Sequence, residues 1–163
     1  MNSASSNTGF GLPPGVTATQ LANDERLVWA AYAAHMISYL MLWTALIGLI
    51  INYVRRKDCV DPKHATHHSR MLRTFWWTFG LSLLAFGIMI AGGLGVAFNL
   101  LGPDFSQWER SVEAIEKGTA RLNIAWGWVV LAALGALLAV ATWIGGLISH
   151  AIGMVRLADD KPT

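Results

Sequence analysis

The chain has 163 residues, of which 54% are hydrophobic and 13% charged; an ordinary soluble domain carries about 25% charged residues. A formal net charge of +2 argues against a nucleic-acid partner, and a single cysteine excludes an intramolecular disulfide. The charges are gathered between long apolar stretches, which argues against a water-facing bundle, whose helices need recurring polar positions.

The segment Met1–Val16 (MNSASSNTGFGLPPGV) is rich in Ser, Asn, Thr, Gly and Pro. It reads as a flexible tail extending to about residue 23. With no basic residue before Arg26 and no apolar core, it is not expected to act as a cleavable signal.

Three apolar runs follow, Leu27–Val54, Thr74–Leu101 and Leu122–Val155, and none contains Asp, Glu, Lys or Arg. Each exceeds the roughly 20 residues that cross a ~30 Å hydrocarbon core as a helix. The expectation is an all-α membrane protein with three transmembrane helices in one domain, residues 24–157. A polar C-terminal tail, 158–163, completes it.

The first connection carries Arg55, Arg56, Lys57, Lys63, Arg70 and Arg73. The positive-inside rule places it in the cytoplasm. With three crossings, the N-terminus is then outside and the C-terminus inside. Cys59 falls in this loop, where thiols stay reduced. Asp61-Pro62 is a helix-start signal, an N-cap followed by Pro at the first helical position. Aromatic residues mark interfacial depths: Trp29 and Tyr32, then Phe75, Trp76 and Trp77, then Trp126 and Trp128.

The second connection, Gly102–Arg121, mixes both charge signs and fits the outer side. Ser106-x-x-Glu109 has the form of a capping box, so a short amphipathic helix is expected from there to Lys117, ending at Gly118. Trp108, Val112 and Ile115 share its apolar face, suited to lying on the outer membrane surface.

Helices in lipid associate where small residues let backbones approach. Ala30, Ala34 and Ser38, Gly87, Ala91 and Gly95, Ala132 and Ala136, and Gly145, Ser149 and Gly153 are the candidate packing strips. The first two are expected to face each other or the third span.

Chemistry-bearing residues are few. His35 and His150 lie within runs, where ionisable groups are functional candidates. Counting from assumed span ends puts them roughly 15 Å apart in depth, which argues against joint haem ligation. Tyr32, Ser38 and Tyr39 are available as partners for His35. In the first loop Cys59, Asp61, His64, His67 and His68 fall close together. His64 and His68 share a helical face that suits a transition metal, and His150 is placed to complete the set. Cys59, His64, His68 and His150 are therefore the candidate metal ligands. No phosphate-binding glycine loop or hydrolase constellation occurs.

The stretch Ile50–Trp77 (IINYVRRKDCVDPKHATHHSRMLRTFWW) resembles small bacterial inner-membrane proteins of the Tic20-like family. The shared elements are Ile51-Asn52-Tyr53-Val54-Arg55-Arg56-Lys57-Asp58, the late His68, and Arg70 to Trp77 opening the next helix. The resemblance implies no catalytic or cofactor residues. It marks Asn52, Arg55, Arg56, Asp58, His68, Arg70 and Arg73 as a polar cluster at the inner membrane surface. Within it, Asp58 is expected to pair with Arg70 or Arg73, and His68 to bond to Asn52.

These readings point to a non-enzymatic inner-membrane protein that serves as an accessory or assembly subunit. Its expected partners are anionic lipid headgroups and other membrane proteins or its own copies, with no cofactor. A transport or protein-translocation component, which the resemblance suggests, and a metal- or haem-binding redox protein are the alternatives.

Overall fold

The computed structural model describes residues 15–102, 104–119 and 125–163. Five α-helices account for most of them: α1 (Ala18–Ser38), α2 (Thr44–Arg55), α3 (Pro62–Leu101), α4 (Trp108–Glu116) and α5 (Trp126–Ala158). There is no strand among the described residues. Residues Met1–Pro14, Arg121 and the first residues of the third run, 122–124, lie outside the described part, and so does most of the expected tail.

The chain divides into two compact units. One holds the described residues up to Thr74 together with Ser149–Thr163; the other holds Phe75–Ile148. Two helices are long and apolar enough to cross a membrane, α3 with 40 residues and α5 with 33. At 1.5 Å per residue they reach about 60 Å and about 50 Å.

The expectation of a third crossing is overturned. The first apolar run does not form one helix. It starts earlier, at Ala18, where Thr17 and Gln20 build a capping box. It breaks after Ser38 and turns back through Tyr39–Trp43 into the 12-residue α2. The result is a helical hairpin whose two ends meet, since Arg55 Nη2 lies 2.6 Å from Asp24 Oδ1.

A polar stripe explains the turn. The buried residues of α1 are Asp24, Val28, Ala31, Tyr32 and His35, and those of α2 are Ala45, Gly48 and Asn52. Folding back lets Asp24 meet Arg55 and lets His35 meet Asn52. A straight helix would leave these groups to find partners elsewhere. Gly48 makes the approach possible, because a Cβ there would stand 2.9 Å from His35 Nε2.

The first unit closes over Val28, Ala31, Tyr32, Met71 and Leu157, with Trp29, Ile51 and Met154 against them. The α1 packing strip expected at Ala30, Ala34 and Ser38 is not the buried one; Ala30 is exposed while Ala31 is fully buried. At the other end of the sequence, Gly153 does act as a contact, against the Tyr32 ring. Ser149 bonds to Thr74, hydroxyl to hydroxyl at 3.1 Å. Gly145 meets nothing within 4 Å.

In the second unit, α3 and α5 approach where side chains are missing. A Cβ at Gly92 would run into the Ala132 backbone, and one at Gly95 into the Trp128 ring. Gly135 abuts Met89 and Ala85 in the same way. Gly95 is thus used as expected of its strip, whereas Gly87 faces open space. The short helix of the second connection is present, but its capping box is not. A 3₁₀ turn, Phe105–Gln107, takes up Ser106, whose N–H instead bonds to Asp104 Oδ1, and α4 starts at Trp108. It ends where Gly118 adopts φ +66°, as a C-terminal glycine permits.

Candidate functional site

All five histidines of the chain lie in the first unit and are buried, between 0% and 4% exposed. Imidazole in such places needs hydrogen-bond partners, and the partners define the site.

Asn52, at the buried end of α2, sits between two of them. Its amide nitrogen donates to His35 Nε2 at 2.9 Å, and His68 Nδ1 donates to its oxygen at 2.7 Å. One amide has one donor end and one acceptor end. The link therefore assigns opposite roles to the two rings, one accepting and one donating. The bond between His68 and Asn52 is the one expected from the sequence.

A second chain begins at the Lys161 carbonyl, 3.0 Å from His67 Nε2. A carbonyl only accepts, so this nitrogen carries the proton. The other nitrogen, Nδ1, then accepts from the Tyr32 hydroxyl at 2.9 Å. A third contact joins Tyr39 Oη and His150 Nδ1 at 3.2 Å. The rings themselves are layered: Tyr32 stands edge-on to His67 and His150, and His35 lies beside His150 with centroids 5.0 Å apart.

That last distance corrects the expected 15 Å separation of His35 from His150. The figure of roughly 15 Å requires a straight first span, and in the hairpin α2 instead runs back along α1. Rings this close leave no room for a haem iron between them.

His64 behaves differently from the rest. It is 1% exposed, and neither ring nitrogen has a hydrogen-bond partner; His68 Nε2 is likewise buried without one. Cys59 donates its thiol to the Arg55 carbonyl at 3.2 Å. Burial, reinforced by the Asp24 carboxylate, pushes that thiol up to about 11. Among the described residues, no three His, Cys, Asp or Glu side chains converge in a way that would hold a metal ion. Cys59, His64, His68 and His150 are thus not brought together as a ligand set.

The polar cluster is reorganised rather than absent. Arg55 pairs with Asp24, which also accepts from the Val60 N–H at 2.7 Å. Asp58 makes no ion pair among the described residues, and Arg70 donates to the Ser149 carbonyl at 3.4 Å. The expected Asp58 pairing with Arg70 or Arg73 is therefore not formed; the carboxylate that does enter the cluster is that of Asp24, on Arg55. Arg56 lies over the Tyr53 ring, 5.2 Å from its centroid.

Sequence reasoning missed Asp24 and the bonding of Tyr32 to His67. The signal was available in the spacing Asp24, Val28, Ala31, Tyr32, His35, which is one helical stripe. Asp24 stands before the apolar run, which begins at Leu27, so the stripe straddles the edge of that run.

Comparison of the chain with protein-family models, with curated proteins and with solved structures finds no match.

Proposed function

We propose that the protein is an integral membrane protein of the bacterial inner membrane that works as a non-catalytic accessory or assembly subunit. The observation that carries this reading is the distribution of side chains. Large apolar residues face outward along α3 and α5, among them Leu83, Phe86, Leu134, Leu137 and Val140 at 55–66% exposure, while every histidine is turned inward. Outward apolar helix faces suit lipid or partner helices. The buried imidazoles serve mainly to fix the hairpin onto α3 and α5.

The hairpin revises the orientation. On this reading two full crossings would bring both ends of the described chain to one side, and the arginine-rich segment 55–73 supports the cytoplasm as that side. The N-terminal segment moves from the outside to the cytoplasmic side with it. The apolar turn Leu40-Met41-Leu42-Trp43, 65–87% exposed, dips into the bilayer without crossing it.

The test is fractionation and pull-down. Tagged protein is expected to stay in alkaline-washed membranes and to co-purify in mild detergent with a defined membrane complex. Recovery of monodisperse protein from plain buffer overturns the membrane reading, and a lone species in several mild detergents overturns the subunit reading. Cysteine accessibility at positions 20 and 104 checks the orientation; labelling of position 20 from the outside refutes it.

A second reading, a metal-binding protein, is favoured by one observation, the three unpartnered imidazole nitrogens of His64 and His68. His68 donates its other ring N–H to an amide oxygen, the arrangement that orients a ligating imidazole. Elemental analysis and a visible spectrum of purified protein decide it; less than about 0.1 transition-metal ion per chain removes it.

A further inference from the structure

On the first unit, the opening helical turns of α3 border a cavity of about 320 Å³ lined by Ala65, Thr66, Ser69, Arg70, Arg73 and Thr163. No acidic side chain lines it. Arg70 spends one terminal nitrogen on the Ser149 carbonyl. Arg73, one helical step further, is exposed and makes no hydrogen bond or ion pair with any described residue. Its spacing from Arg70 places both guanidinium groups on one side of the helix. The Thr66 hydroxyl already receives the Thr163 N–H at 3.2 Å, which holds the far wall in place. Ser69 is exposed at the rim.

We infer that this cavity binds the phosphodiester of an anionic phospholipid, with Arg70 and Arg73 as the charged contacts and Ser69 as a hydroxyl donor. The inference rests on the membrane reading above and adds the site and the lipid class. Planar guanidinium forks match the two free oxygens of a phosphate. Depth favours a lipid as the source of that phosphate. The chain passes directly from Arg73 into the apolar run, and Trp76 and Trp77, 50% and 68% exposed, follow at once. Such rings settle at headgroup level, so the cavity opens where phosphates of the cytoplasmic leaflet are densest.

The experiment is native mass spectrometry of the full chain in mild detergent, titrated with phosphatidylglycerol or phosphatidylcholine, with thermal unfolding run alongside. The expected result is retention of phosphatidylglycerol at least tenfold above phosphatidylcholine. Arg73→Gln should reduce that preference severalfold, and Arg70→Gln with Arg73→Gln should abolish it. Arg56→Gln with Lys57→Gln, which removes equal charge outside the cavity, should leave it unchanged. Arg73→Lys guards against misfolding: it keeps the charge, and partial retention is expected.

Equal retention of both lipids overturns the inference. So does an equal loss in the Arg56/Lys57 variant, which would mean diffuse attraction. Displacement of phosphatidylglycerol by millimolar inorganic phosphate would assign the cavity to a free anion instead. Failure of the membrane reading is separately visible, as protein that needs no detergent.

Discussion

The two units of this protein are held together by opposite means. In the unit built from the residues up to Thr74 with Ser149–Thr163, buried polar side chains meet one another: Asp24 with Arg55, Asn52 with His35 and His68, Tyr32 with His67. In the unit Phe75–Ile148, contact depends on the absence of side chains, at Gly92, Gly95 and Gly135. The difference teaches how each tolerates change. A polar network fails when one member leaves, because the others remain buried and unpaired. A glycine contact fails when something is added.

The largest expected effect is in the polar unit. Arg55→Leu leaves Asp24, 2% exposed, without its cation. The expected loss is about 3–5 kcal/mol, read from unfolding in detergent, with Arg55→Lys recovering part of it. A loss below about 1 kcal/mol would mean that water reaches the carboxylate. Asn52→Leu comes next. It strands His35 Nε2 and His68 Nδ1 together, and about 2–4 kcal/mol is expected. Because both rings depend on one amide, His35→Ala should cost much less in the Asn52→Leu background than alone; additive losses would refute the link.

The glycine unit should respond to size and not to polarity. Gly95→Leu has to displace the Trp128 ring and is expected to cost about 1–3 kcal/mol. Gly87→Leu, on a position with nothing within 4 Å, should stay within about 0.5 kcal/mol. Equal losses at the two positions would sink the assignment of the contact face.

The smallest effect concerns Cys59, whose thiol is held near 11. The folded chain keeps this proton longer than the unfolded one does. Raising the pH therefore favours unfolding: the contribution is complete below the ordinary value of about 9 and is lost as pH climbs towards 11. Cys59→Ser should remove that alkaline decline. Maleimide labelling of folded protein at pH 8 should also be much slower than of denatured protein.

Some of this was legible from residue types alone. Apolar runs at 74–101 and 122–155 imply membrane-length helices, because no Asp, Glu, Lys or Arg interrupts them. Asp61-Pro62 and Gly118 mark where helices start and stop, because a side-chain cap and a positive φ are local requirements. The bond from His68 to Asn52 was also within reach, since a short connection forces neighbours together.

What only the tertiary structure decided is the fate of the first run. Leu40-Met41-Leu42-Trp43 contains no Gly or Pro, so nothing local announces a turn there. The reversal is set by distant pairs, Asp24 with Arg55 and His35 with Asn52, whose burial is tolerable only when they meet. Apolar composition determined that α3 and α5 are long and apolar enough to cross a membrane; the pairing of the chain's few polar groups decided that the first run folds back on itself.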